Sequence, residues 1–162
     1  MPTDSRLRIE SARGSSGELR LTLNGCIDEY ADLSVIRSVE EGALVLDLSG
    51  VRRINSIGVR EWILSMMTIP PEVAVFWERV SVPMVSQLGM IANFHGHSRI
   101  RSFYAPYFCS SCRADQARLL STSEDFRDEA QSPPPQQCEH CERVLEFDDV
   151  ESDYLQAVLQ TR

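Results

Sequence analysis

Ala43-Leu44-Val45-Leu46-Asp47-Leu48-Ser49-Gly50-Val51-Arg52-Arg53-Ile54-Asn55-Ser56-Ile57-Gly58-Val59-Arg60 is the stretch that decides the fold class. Residues 43–48 form a short, nearly continuous apolar run, the pattern of a strand buried on both faces. From Val59 the period changes. Val59, Trp62, Ile63, Met66 and Met67 recur at spacings of three and four, the stripe of an amphipathic helix. Asn55 or Ser56 offers a side chain that caps such a helix, and Pro70-Pro71 ends it. A buried strand feeding a helix is the repeating unit of an α/β fold.

The flanks extend this pattern. Leu7-Arg8-Ile9 and Leu19-Arg20-Leu21-Thr22-Leu23 alternate as strands do, with a turn at Gly14-Ser15-Ser16-Gly17 and an end at Asn24-Gly25. Residues 29–39 read as a helix with Tyr30, Leu33, Ile36 and Val39 on one face, stopped by Gly42. Residues 73–77 read as a second buried strand. Ser81 and Pro83 open a helix carrying Met84, Val85, Leu88 and Ile91, and residues 100–104 read as a last strand. The order β-β-α-β-α-β-α-β predicts a mixed sheet with helices packed on it, filling a domain over residues 1–106.

Residues 45–60 resemble the core motif of STAS domains, the family of bacterial anti-sigma factor antagonists: a buried strand ending in Asp47-Leu48-Ser49, an apolar pair, then a polar turn opening a helix. Leu23-Asn24-Gly25-Cys26-Ile27-Asp28 resembles the family's second strand, and the element order matches over roughly residues 6–105. The resemblance implies a non-enzymatic regulatory protein whose partner is an anti-sigma factor or related kinase-like ATPase. It implies docking through Asn55, Ser56, Ile57, Gly58 and Arg60. In that family the second serine of the turn is phosphorylated, which breaks the complex. Ile57 stands at that position and Asn55 replaces the carboxylate, so the usual switch is expected to be lost. Ser56 matches the first serine and is expected to cap the helix. A STAS subunit of a lipid-transport ATPase complex is the other reading this family allows, and a homodimer is compatible with either.

From Tyr107 the character of the chain changes. Cys109-Ser110-Ser111-Cys112 and Cys138-Glu139-His140-Cys141 are two Cys-x-x-Cys pairs, each able to place two thiolates on one ion. Together they predict a closed Cys₄ zinc site with no open position for catalysis. The segment 107–162 resembles a zinc ribbon and is expected to form a second unit that needs metal to fold. A cysteine-based redox or zinc-sensing role is the alternative use of the same residues. A polar, proline-containing loop is expected over about 121–137, a strand over 143–147, and a short amphipathic helix with Ser152 or Asp153 near its start. Cys26 reads as a small buried apolar group. His95 and His97 read as loop or cap residues, and His140, inside the second pair, as a residue that points to solvent or hydrogen-bonds the thiolates rather than replacing a cysteine.

Charge narrows the function classes. The net charge is −8, and no lysine occurs. Residues 1–107 carry 11 arginines against 12 carboxylates; residues 108–162 carry 5 against 12, a balance of −7. An acidic metal unit is a poor partner for nucleic acid, which needs a basic face. No run approaches the roughly 20 apolar residues of a membrane span, and the first eight residues lack an export signal. Four thiolates kept for a metal point to a reducing compartment, the cytoplasm. No Ser-His-Asp, Cys-His, phosphate-loop or paired catalytic carboxylate pattern occurs, so no enzyme is expected. Arg52, Arg53 and Arg60 form the basic cluster nearest the docking turn.

Overall fold

The computed structural model describes residues 6–127, 132–149 and 151–161, leaving aside the side chains of 151 and 152. The expected readings of the extreme N-terminus, of 128–131 in the loop and of the Ser152 side chain therefore fall wholly or partly outside the described residues.

β3 (Ala43–Ile54) is the central strand of a five-stranded mixed sheet. On one side lie β2 (Leu19–Ile27) and then β1 (Arg8–Arg13); on the other lie β4 (Ala74–Glu78) and β5 (Arg99–Ile100). β1 and β2 are antiparallel; every other pair is parallel. The parallel connections run through α1 (Ser34–Arg37), α2 (Ser56–Thr68) and α3 (Val82–Met90). The chain is thus α/β, as its alternation predicts.

Register explains the core. Leu21 faces Leu46, Leu46 faces Trp77 and Trp77 faces Ile100, so one row of buried apolar side chains crosses four strands. Trp62 and Met66 of α2 and Met84 and Val85 of α3 belong to the same core. Trp62 meets Trp77 edge-on with centroids 5.4 Å apart, and its indole N–H donates to the Phe94 carbonyl at 3.1 Å. Truncating either tryptophan to alanine removes a contribution of about 3–5 kcal/mol.

The other face of β3 departs from a helix-covered strand. Val45 and Asp47 are buried there, but arginine side chains lie across this face. Arg101 sits 3.7 Å over the Phe76 ring, and Arg20 and Arg101 both pair with Glu78. Arg79 forms an ion pair with Asp47, whose other oxygen accepts from the Ser49 N–H and hydroxyl. Burial alone would raise the Asp47 carboxyl, yet Arg79 and Ser49 outweigh it and hold it below the ordinary carboxylate range.

Several expected boundaries move. The helix over 29–39 shrinks to α1, because Asp28 and Asp32 side chains accept the backbone N–H groups of Tyr30 and Ser34 and hold turns instead. Leu33, Ile36 and Val39 are buried as expected, but Tyr30 is 71% exposed. β2 does not end at Asn24-Gly25. It runs on to Ile27 through two irregularities, with Gly25 at φ +123. Ser81 holds the N-cap position of α3, but its hydroxyl makes no capping bond. Met67, expected in the core stripe, is 70% exposed.

The expected last strand divides at Arg101. β5 stays in the first sheet, and β6 (Ser102–Cys109) opens a second sheet ordered β7-β6-β8, with β7 at Ala114–Ser121 and β8 at Glu146–Phe147. β6 therefore runs through the expected boundary at 106. Val80 joins the sheets: its N–H donates to the Ser102 carbonyl, and its own carbonyl accepts from Tyr104 N–H. α4 (Glu151–Leu159) returns to lie against α3. The Tyr154 hydroxyl donates to the Tyr104 carbonyl at 2.7 Å, and one apolar cluster spans both sheets.

The start of α2 is set by close backbone approach. A Cβ on Gly58 would lie 2.0 Å from the Ile27 carbonyl oxygen. Gly58→Ala is expected to destabilise the fold by about 2–3 kcal/mol in denaturant unfolding. A change below about 0.5 kcal/mol would contradict this packing.

Candidate metal centre

Both cysteine pairs sit at hairpin tips. Cys109 ends β6 opposite Ala114, the first residue of β7, so the first pair occupies the β6–β7 turn. The second pair closes a smaller hairpin. Gln137 bridges to Val144, and Cys138 N–H donates to the Arg143 carbonyl at 2.8 Å. In each tip the residue after the second cysteine adopts a left-handed backbone: Arg113 at φ +52 and Glu142 at φ +59. Such a conformation disfavours non-glycine residues. Its repetition at both tips shows one turn geometry built twice, which aims two sulfurs to the same side.

The tips converge. All four sulfurs of Cys109, Cys112, Cys138 and Cys141 lie within 4.8 Å of one another. Cys109 and Cys141 sulfurs are 3.6 Å apart, and Cys112 and Cys138 sulfurs are 3.8 Å apart. A disulfide holds its sulfurs at about 2.05 Å, so neither contact is one. A tetrahedral ion with metal–sulfur bonds of about 2.3 Å, the zinc–thiolate value, sets its sulfurs about 3.8 Å apart. The donor set and its spacing fit a zinc-sized ion bound by Cys109, Cys112, Cys138 and Cys141. Among the described residues these four form the one group of three or more potential ligands close enough to share an ion.

A shell of N–H donors surrounds the inner sulfurs. Cys112 N–H donates to the Cys109 sulfur at 3.4 Å. The Cys138 sulfur accepts from His140 N–H at 3.4 Å and from the Gln116 side-chain amide at 3.1 Å. Gln116 in turn accepts from Glu139 N–H and from Arg118, and Arg118 pairs with Glu139. Burial would raise the Cys138 thiol, but the N–H groups of His140, Cys141 and Gln116 outweigh it and bring it down to about 6. Cys112 moves oppositely, pushed up to about 12, first by its hydrogen bond to Cys141 and then by burial and the neighbouring sulfurs. Four thiolates this close repel one another, and a divalent cation at their centre relieves that repulsion.

The docking residues expected around the start of α2 share one end of the sheet. Asn55, not Ser56, caps the helix: its side-chain oxygen accepts Gly58 N–H at 2.8 Å, and its amide donates to Glu29. Ser56 and Arg60 are exposed, as are Arg52 and Arg53; Ile57 is 50% exposed, and Gly58 is buried against β2. Sequence reading missed Leu64 and Met67 as surface residues. They continue the outward face of α2 from Ile57 and Arg60 at spacings of three and four, with Leu64 44% exposed. The available signal was a helix apolar on nearly every side, which one buried face does not use up.

Cys26 is buried, and among the described residues it belongs to no group of three or more potential ligands. His95 is half-buried, and burial lowers it from the ordinary imidazole value. His97 bonds the Val73 carbonyl. Among the described residues no helix is long and apolar enough to cross a membrane.

No family model, curated protein or solved structure matches this chain.

Metal binding must displace the protons that thiols still hold. With Cys138 near 6 and Cys112 near 12, more than one proton leaves on binding near neutral pH. Apparent zinc affinity is therefore expected to fall by more than tenfold per unit as pH drops from 8 to 6. Competition against a chromogenic chelator measures it; a flat profile would contradict the centre's chemistry.

Proposed function

We propose that this chain is a non-enzymatic regulatory protein that docks another protein through the outward face of α2 and its N-terminal turn. The observation that carries this reading is the exposed row Ile57, Arg60, Leu64 and Met67, three large apolar side chains on one helix with a guanidinium among them. Exposed Tyr30 lies in the turn after β2, whose Asp28 and Glu29 border the start of α2. A surface of this composition costs solubility unless a partner covers it. An apolar helix face is read by a hydrophobic groove.

The resemblance of residues 45–60 to STAS domains gives the partner class: an anti-sigma factor or related kinase-like ATPase. The alternation of β2, β3 and β4 with α1, α2 and α3, and the opening of α2 at Asn55, support that reading. With Ile57 where a switch serine would stand, docking is constitutive with respect to phosphate and rests on apolar contact. The cysteine centre is, in this reading, a structural zinc staple.

Ile57→Glu puts a carboxylate in the first turn of α2, where the helix N-terminus favours it, so the fold is expected to survive. Affinity capture with the wild-type and Ile57→Glu chains in parallel tests the proposal, with titration of the captured ATPase to follow. A kinase-like ATPase retained by the wild type and bound roughly thirtyfold more weakly by the variant supports it. Identical capture by both chains would overturn it. Retention of a transport permease with its ATPase would favour the transport-complex reading instead.

A further inference from the structure

We infer that Cys112 and Cys141 are the oxidisable pair of the metal centre: a peroxide joins them in a disulfide and opens the site, while Cys109 and Cys138 remain reduced. The inference is independent of what α2 docks.

The four ligands divide into two kinds. Cys109 and Cys138 are the first cysteines of their hairpin tips and are 1% and 2% exposed. Cys112 and Cys141 are the second cysteines and are exposed. The N–H donors divide the same way. Cys109 accepts from Cys112 N–H, and Cys138 accepts from His140 N–H and the Gln116 amide. Among the described residues no N–H group bonds the Cys112 or Cys141 sulfur. A sulfur whose lone pairs engage N–H groups is a weaker nucleophile, and a buried one is also out of reach. An oxidant reaches exposed sulfurs that no N–H group engages before it reaches buried, hydrogen-bonded ones. Both conditions select Cys112 and Cys141, whose sulfurs, like every pair of the four, lie within 4.8 Å of each other.

The shield on Cys138 is itself held in place. The Gln116 carbonyl oxygen accepts from Arg118 at 2.8 Å and from Glu139 N–H at 3.3 Å, while its amide reaches the Cys138 sulfur. Arg118 also donates to the Gln137 carbonyl at 2.7 Å. Gln116 is thus locked between β7 and the second tip and acts as a positioning residue for that thiolate.

The step balances with hydrogen peroxide as oxidant. The thiolate of Cys112 or Cys141 attacks one peroxide oxygen. The O–O bond breaks, hydroxide leaves, and the sulfur becomes a sulfenic acid. The second thiolate then attacks that sulfur, the S–O bond breaks, and a second hydroxide leaves as the S–S bond forms. The sulfur pair gives up two electrons, the peroxide takes two, and solvent protons convert both hydroxides to water. An ion held by four sulfurs then keeps two donors, too few for a closed tetrahedral site.

The sequence suits the mapping. Trypsin cuts after Arg113, Arg127 and Arg143, so Cys109 and Cys112 share one peptide and Cys138 and Cys141 share another. A bond between tips joins the two peptides, and a bond within a tip does not. The zinc-loaded chain is treated with limiting hydrogen peroxide, metal release is followed with a chromogenic chelator, and remaining thiols are alkylated before digestion. The expected first product joins the two peptides through Cys112 and Cys141, with Cys109 and Cys138 alkylated and one zinc released per disulfide. A first product containing Cys109 or Cys138, or a chain that carries no metal as purified, would overturn the inference. Gln116→Leu separates shielding from exposure, because it leaves all four ligands in place. Cys138 is expected to enter at least a tenth of the early disulfide in that variant, and an unchanged product would overturn the role given to Gln116.

Discussion

Four sulfurs within 4.8 Å of one another place a demand that the rest of the C-terminal half answers. Their negative charge needs a cation, and their convergence needs two hairpin tips at one point. The first tip is carried by β6, which Val80 ties to the end of β4. The second tip starts the return path through β8 to α4, whose buried side chains join the main core. The Tyr107 ring, edge-on to Phe147 and hydrogen-bonded to the Pro134 carbonyl, fills the space between centre and core.

The exposed apolar row of α2 depends on a different constraint. Gly58 lets the first turn of α2 settle on the Ile27 carbonyl, and Asn55 caps it, so helix direction and exposed row are set together. Trp62 and Met66 commit one side of α2 to the core. Ile57, Leu64 and Met67 are what remains, and their exposure follows from a helix with more apolar residues than one buried side can take. The sheet face opposite the helices is occupied in another way, by arginines paired with Asp47 and Glu78. Those carboxylates keep that face from being a free basic surface.

Much of this was legible in the sequence because the signals were periodic or chemical. The apolar run at 43–48 and the three-four stripe of α2 are periodic signals, and the spacing of the two cysteine pairs favours a shared metal over a redox dithiol. What escaped depended on tertiary context. The helix expected over 29–39 lost its first turn to Asp28 and Asp32, whose side chains serve turns as readily as helix starts. The strand expected at 100–104 divided at Arg101, because its two ends pair with different sheets, and pairing partners have no signature in one strand's pattern. Ser56 was expected to cap α2, with Asn55 the other candidate, and only the placement of Gly58 N–H decides for Asn55. Gln116 and Arg118 lie in β7, a strand that was not among the expected elements. Their role at the second tip comes from a hairpin more than twenty residues away in sequence.

The central claim is that the cysteine centre staples the C-terminal segment onto the α/β core. Amide hydrogen exchange of the zinc-loaded chain, before and after chelation under reducing conditions, tests it most directly. The account predicts that chelation strips protection from β8, α4 and the tips of β6 and β7 while β2 and β3 keep theirs. Unchanged protection of β8 and α4 in the metal-free chain would contradict it.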